Sequence, residues 1–262
     1  MSGTFESSWN PLKQLIKRVL VRKFDAAVVS GRKHAEYLYE LGYPPEKIHL
    51  GYDVVDNQHF MNDLDGDDIR LPVARGRYFF ANTRFLPRKG VDALLRAYAR
   101  YLSLHAGTPA SEPPWQLVIS GSGEMEGLLK QLCRALQIAE RVHWPGFLQY
   151  RHLPTVYRSA GAFVHLARTE AWGLVINEAA AAGLPLLVGR RVGAACELVR
   201  EGKNGFLVDP DDTVTVAEAL WRLARMTDSQ RAAMGAESRS IVANFGPRRF
   251  AESVRSCIGM AA

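Results

Sequence analysis

AFVHLARTEAWGLVINEAAAAGLPLLVG, residues 162–189, decides the fold. Its first five residues form a short apolar run, its middle is an alanine-rich segment entered through Gly173, and its end, PLLVG, is a second apolar run. Apolar runs this short fit strands buried on both faces of a sheet, and the helical pattern between them returns the chain so that the strands lie parallel. The unit repeats outward in both directions. Upstream, YFFANT (78–83) precedes a helical pattern from Val91 to Leu104, WQLVIS (115–120) precedes one from Glu124 to Leu136, and RVHW (141–144) stands before AFVHL. Downstream, a short helix near Cys196 to Val199 leads to FLVD (206–209) and a helix starting near Thr213. The expected fold class is α/β: a Rossmann-like doubly wound parallel sheet over residues 76–246, covered by helices on both faces. Ligands of such sheets lie at the carboxyl ends of the strands, so the loops after the strands are where chemistry is sought.

The front of the chain is organised differently. Leu12, Leu15, Ile16, Val19, Leu20 and Phe24 recur at helical spacing, with Lys13, Lys17, Arg18, Arg22 and Lys23 mainly on the other side. This basic amphipathic helix reads either as a cover for a sheet or as a surface for anionic lipid or a partner lobe. DAAVVS (25–30) reads as a strand feeding a helix from about Lys33 to Leu41. A stretch holding Asp63, Asp65, Asp67 and Asp68, with Gly66 and Pro72 beside it, reads as an exposed linker. The expected division is residues 1–60, a linker at 61–75, the main domain at 76–246, and a terminal helix at 247–262.

Charge and cysteine usage narrow the classes. The net charge of +6 is concentrated at the front, where residues 1–34 hold seven Lys/Arg against Glu6 and Asp25. No aromatic-basic interleaving or nucleic-acid motif accompanies it, so no nucleic acid partner is expected. Cys133, Cys196 and Cys257 lack the paired spacing of zinc sites or disulfide frameworks, which fits a reducing cytosol. No apolar run approaches the roughly 20 residues of a membrane span. The expected location is cytoplasmic, with peripheral contact at the inner face of the cell membrane left open. His143 and His165 have no acidic, Cys or His partner at ligand spacing, so both read as satisfied structural histidines, and no metal is expected.

Three loops carry the chemistry. In the first, Glu170 and Glu178 bracket a helix start. Gly173 lets backbone approach a ligand, and the free N–H groups of the first turn suit a diphosphate. Carboxylates accept hydroxyl hydrogen bonds in pairs, which suits sugar or ribose diols; a Glu near a helix N-terminus also serves simply to complement the dipole. In the second, Asn82–Gly90, Arg84 and Lys89 offer a fork and a mobile ammonium that together neutralise a diphosphate, whereas Arg88 reads as a solvated neighbour. The third is Ser120-Gly121-Ser122-Gly123, a tight strand-to-helix turn that lacks the full dinucleotide fingerprint.

Together these motifs resemble glycosyltransferase family 4, which has the two-lobed GT-B fold. The resemblance covers most of the chain and rests on RFLPRKG (84–90), SGSGEME (120–126), the E-x7-E pair Glu170 and Glu178, EAAAAGLPLLVG (178–189), GAACELVREGKNGFLVDPDD (193–212) and VDNQHF (55–60). It implies a C-terminal, donor-binding lobe with a small remnant of the N-terminal lobe at the front. It also implies transfer of a sugar from a nucleotide-diphospho-sugar to a glycan, glycolipid or polysaccharide acceptor, with retention and without a metal or other cofactor. In that scheme Glu170 meets donor-sugar hydroxyls as the catalytic residue, Arg84 and Lys89 bind diphosphate, and Glu178 takes the ribose. Backbone at Gly121, Gly123, Gly173 and Leu174 completes the contacts, and the Phe147-Leu148 loop faces the base. Val192-Gly193-Ala194-Ala195-Cys196-Glu197 departs from the family's usual Gly-Gly-aliphatic pattern. The short front implies a truncated reading frame, a lobe supplied by a partner chain, or a nucleotide-sugar-binding subunit or remnant incomplete by itself, with self-association as a further expectation.

Overall fold

The computed structural model describes residues 11–62, 69, 71–107 and 112–261, so most of the Asp-rich stretch (63–68) lies outside the described residues. The described chain divides into two compact units, residues 11–56 with 244–261, and residues 57–243. The division falls at Asp56/Asn57, and the terminal helix groups with the front of the chain.

The first unit opens with α1 (Pro11–Val21), which has no buried residue. Its apolar stripe stays in water, with Leu12 64% and Leu15 58% exposed. Lys17 Nζ donates to the Tyr37 hydroxyl at 2.8 Å. Beyond it β1 (Ala27–Val29), α2 (Arg32–Glu40) and β2 (Ile48–Leu50) form a β-α-β turn, with Ala27 opposite Ile48 in a parallel pair. β2 has no counterpart in the sequence reading, because three residues are too few to display a period.

The second unit begins with α3 (Asn57–Met61) and β3 (Tyr78–Asn82), followed by α4 (Val91–Ala106), β4 (Gln116–Ser120), α5 (Glu126–Ala135), β5 (Val142–Gly146) and α6 (Leu153–Ser159). It continues through β6 (Ala162–His165), α7 (Leu174–Ala181), β7 (Leu186–Gly189), α8 (Ala195–Leu198), β8 (Gly205–Val208), α9 (Thr213–Arg225) and α10 (Asp228–Val242). The chain then returns to the first unit as α11 (Pro247–Ala261), where the Ser253 hydroxyl donates to the Leu50 carbonyl at 2.5 Å.

All six strands of the second unit are parallel, in the order β5-β4-β3-β6-β7-β8. This is the expected α/β sheet, and renumbered from its first strand it is the Rossmann order 3-2-1-4-5-6. Side chains alternate across it. Phe79 and Ala81 join the core formed with Leu94, Leu95, Leu117, Leu129, Leu220 and Leu223, contributed by α4, α5, α9 and the sheet. On the opposite face the Tyr78 hydroxyl donates to the Val156 carbonyl on α6 at 2.6 Å, and Phe80 meets the Tyr157 ring edge-on with centroids 4.9 Å apart. Two covered faces explain why the strands read as unbroken apolar runs rather than as alternation. The direction of winding reverses between β3 and β6, and that switch point places the loops after these two strands side by side.

Candidate functional site

Both loops at the switch point are built by backbone packing. After β3 the chain turns through Pro87–Lys89 into Gly90, whose φ of +67 and whose lack of a Cβ allow it to lie against the Leu166 carbonyl; an added Cβ would overlap that oxygen. Arg168, two residues further along the β6 loop, ties the loops together. Its backbone N–H donates to the Arg88 carbonyl at 2.8 Å, and its guanidinium donates to the Pro87 carbonyl at 2.9 Å. The same guanidinium holds Asp92 in a bidentate pair at 2.8 Å and reaches Asp211 at 2.8 Å. The pair holds the Asp92 carboxyl below its ordinary range. The SGSG turn belongs to the same framework. Gly121 and Gly123, with φ of +126 and +156, lie against the backbone of Thr83 and Phe85, and Phe85 N–H donates to the Ser122 carbonyl at 2.9 Å.

This framework brings Lys89 onto Glu170, and their side chains are paired directly with only 11% and 13% of each exposed. Arg88, read from the sequence as a solvated neighbour, has Nη1 3.7 Å from the other Glu170 oxygen. Burial, with the nearby charges of Arg88 and Arg84, pushes the Lys89 ammonium down to about 8. The Glu170 carboxylate opposes that shift, since an opposite charge in contact favours the cation. Arg84 itself is exposed at the rim.

His165 corrects the sequence reading. It is 3% exposed, and burial and then Lys89 push its imidazole down to about 3, so it is neutral. Its Nε2 has no hydrogen-bond partner among the described residues and lies 3.8 Å from Glu170 Oε2. It is therefore not a satisfied core histidine. His143 is satisfied, being paired with Gln116. Nothing in the sequence marked His165, because it precedes Glu170 by five residues across a strand-to-loop boundary that carries no period.

Glu178 lies on α7, one turn past a start set by Gly173 at φ +100. Its Oε2 accepts from the Tyr157 hydroxyl at 2.7 Å. Burial raises the Glu178 carboxyl above its ordinary value, against the lowering effects of the Tyr157 hydrogen bond and the charge of His59. Tyr157 is fully buried, and α6, which carries it, went unread in the sequence. Trp172 Nε1 donates to Asn177 Oδ1 at 2.9 Å, and Gly193 N–H donates to the Glu170 carbonyl at 3.0 Å, which fixes the segment between the two glutamates. Leu174 is 40% exposed at the helix start. Leu148 is only 7% exposed, so its side chain serves the core, while Phe147 beside it is 71% exposed and presents the outer surface of that loop. Arg84, Lys89, Glu170, Glu178, Gly173 and Leu174 all stand on loops or helix starts at the carboxyl ends of β3 and β6.

A Rossmann-order sheet whose switch-point loops bring cations and a carboxylate together defines a class: an α/β lobe that holds its ligand at the carboxyl ends of the strands. The chain belongs to the family described as "Glycosyl transferases group 1", whose profile matches residues 70–240. It is 34% identical over 169 residues to the GDP-mannose-dependent monoacylated alpha-(1-6)-phosphatidylinositol monomannoside mannosyltransferase of Corynebacterium glutamicum, covering 62% of this chain and 41% of that one. To the D-inositol 3-phosphate glycosyltransferase of Acidothermus cellulolyticus it is 32% identical over 216 residues, 78% of this chain and 46% of that one. It thus spans less than half the length of these two curated relatives. Among solved structures, Anabaena HepE in complex with UDP superposes with a TM-score of 0.80 at 20% identity, covering 96% of this chain and 70% of that one, a likeness of fold.

Proposed function

We propose that residues 57–243 are the donor-binding lobe of a retaining, family 4-like glycosyltransferase that moves a sugar from a nucleotide-diphospho-sugar to a glycan or lipid-linked acceptor. The observation that carries this reading is the meeting of Lys89 and Arg88 with Glu170 at the switch point, two cations within 4 Å of one carboxylate. A diphosphate entering there takes the cations, with Arg84 swinging in from the rim, and frees Glu170 to accept hydroxyls of the donor sugar. Glu178, one turn into α7, accepts from the ribose diol while Tyr157 supports it from behind. The N–H groups of Leu174 and its neighbours at the start of α7 face phosphate oxygens, a use to which a helix N-terminus is suited. Gly121 and Gly123 keep the floor low enough for the donor, and the backbone at Leu148 with exposed Phe147 borders the base. Charge building on the leaving diphosphate is then met by groups already in place, the usual source of the largest catalytic contribution. Because that charge has fixed cationic partners, the reading needs no metal.

We assign the exposed apolar stripe of α1 to contact with a second lobe, a partner or a membrane face. Among the described residues no helix is long and apolar enough to cross a membrane. Calorimetric titration with UDP-, GDP- and ADP-sugars tests the reading. Wild type is expected to bind one base class, and Glu178→Ala and Arg84→Ala are each expected to weaken it about tenfold or more. Binding left unchanged by both substitutions would sink the donor-site assignment. An anomeric assay by NMR that returned inverted product would sink retention.

A further inference from the structure

His165, which closes β6, is a buried titratable group to which the donor scheme gives no task. Burial and the charge of Lys89 keep its imidazole neutral, so the ring carries a single N–H. Nε2 makes no hydrogen bond among the described residues and is closed to water as well. A polar atom left unmet in this way is a standing cost, and native chains seldom carry one without a use for it. Its partner has to come from inside the protein, and a candidate stands beside it: Glu170 Oε2, 3.8 Å away. That is about 1 Å beyond bonding distance. A carboxylate oxygen so close favours the tautomer with its proton on Nε2, because the other tautomer turns a lone pair toward the negative charge.

In the empty lobe Oε2 is held by another group. Lys89 Nζ is paired directly with this same oxygen, while Arg88 Nη1 faces Oε1 at 3.7 Å. Two donors thus compete for one acceptor, and the ammonium has it. The competition ends when a diphosphate draws Lys89 away. Glu170 is then a mostly buried carboxylate with one oxygen uncompensated, a state that favours protonation or a swing of the side chain out to water. Either outcome would spoil a group whose proposed task is to accept sugar hydroxyls. His165 approaches Oε2 from the interior, so its N–H can replace the ammonium and leave the outer side of the carboxylate open.

We propose that His165 is the positioning residue of Glu170: when Lys89 leaves for the diphosphate, the Nε2–H bonds to Oε2 in its place and holds the carboxylate toward the donor sugar. This role rests on the donor-lobe reading, but the pairing beneath it involves side chains alone and is open to test without a ligand.

Lys89→Met imitates departure of the ammonium, and urea unfolding at neutral pH reads the result. His165→Met, which keeps the bulk and removes the N–H, is expected to raise the unfolding constant about tenfold more in the Lys89→Met protein than in the parent. Arg88 is present in every arm, and Glu170→Gln is expected to erase the difference. His165→Gln, which retains an N–H donor, should follow the histidine protein in both backgrounds. The liganded half uses calorimetry with UDP and UDP-glucose and with GDP and GDP-mannose. His165→Met is expected to weaken the bound nucleotide-sugar about tenfold more than its nucleoside diphosphate, and His165→Gln to restore it. The proposal is overturned if His165→Met costs the same with and without Lys89, if His165→Gln behaves like His165→Met, or if nucleoside diphosphate and nucleotide-sugar weaken equally. Wild-type protein that binds none of the four overturns the donor-lobe reading and with it the role toward the sugar, while the urea comparison still decides the pairing of His165 with Glu170.

Discussion

Replacing Tyr157 by Phe removes one oxygen from the interior, and the carboxylate of Glu178 is what feels the loss. The Tyr157 hydroxyl donates to Glu178 Oε2 at 2.7 Å from a fully buried ring, so water does not restore the bond once the oxygen is gone. A hydrogen bond to an ionised group contributes about 1.5–3 kcal/mol, against about 1 kcal/mol for a neutral pair. Which figure applies depends on pH. The folded-state value of Glu178 lies above its ordinary 4.5, so below 4.5 the group is protonated in both the folded and unfolded states. As pH rises above 4.5, the unfolded chain ionises first and wild-type stability declines until the folded group has ionised too. Without Tyr157 the folded value rises further and the decline continues over a wider range. The expected penalty of Tyr157→Phe is therefore about 1 kcal/mol below pH 4.5, growing to about 2–3 kcal/mol at about pH 8. Urea unfolding of both proteins across this range, followed by tryptophan fluorescence, measures it. An equal penalty at both ends would refute the claim that Tyr157 stabilises the ionised carboxylate.

Two further predictions concern the loops at the switch point. Nucleotide diphosphate affinity is expected to fall as pH rises through about 8, where Lys89 loses its proton, and Lys89→Arg, which stays charged, should flatten that profile; identical profiles for the two proteins would remove Lys89 from the phosphate site. Gly90→Ala and Gly76→Ala share a left-handed backbone, at φ +67 and +72, but Gly76 faces open space whereas a Cβ on Gly90 would overlap the Leu166 carbonyl. Urea midpoints should show a loss of about 1 kcal/mol for Gly76→Ala, the conformational cost alone, and about 3 kcal/mol or more for Gly90→Ala, and equal losses would mean the two loops are not in contact.

The parts of the fold legible in sequence were those with enough length to show a period. The strands from YFFANT to FLVD and the helices α4, α5 and α9 were read close to where they lie. The strand order was not, because register and neighbour are decided by contacts between segments far apart in the chain. α6 shows no period because it has only seven residues, and it carries Pro154 in its first turn, where Pro is compatible with a helix start. The start of α10 is legible: Thr227 and Gln230 form a reciprocal capping box, a pattern visible as T-x-x-Q. At the candidate site, Glu170, Glu178, Lys89 and Arg84 stand out in the sequence by residue type and loop position. Arg88 and His165 are distinguished only by proximity to Glu170, a relation created when the loops after β3 and β6 come together.

The floor of the cleft is made of main chain lying on main chain: Gly90 on Leu166, Gly121 on Thr83, Gly123 on Phe85 and Gly193 on Ala171. Peptide groups are the same whatever the neighbouring side chains, so this surface keeps its shape while the residues standing around it change. Arg84, Phe147 and Leu174, all exposed at its border, are free to be exchanged without moving the floor. On the proposed reading, the base or sugar accepted is altered by redecorating a fixed basin. A Cβ at any of these four glycines would overlap the main chain beneath it, so they fix where the loops bearing Arg84, Lys89 and Glu170 are held.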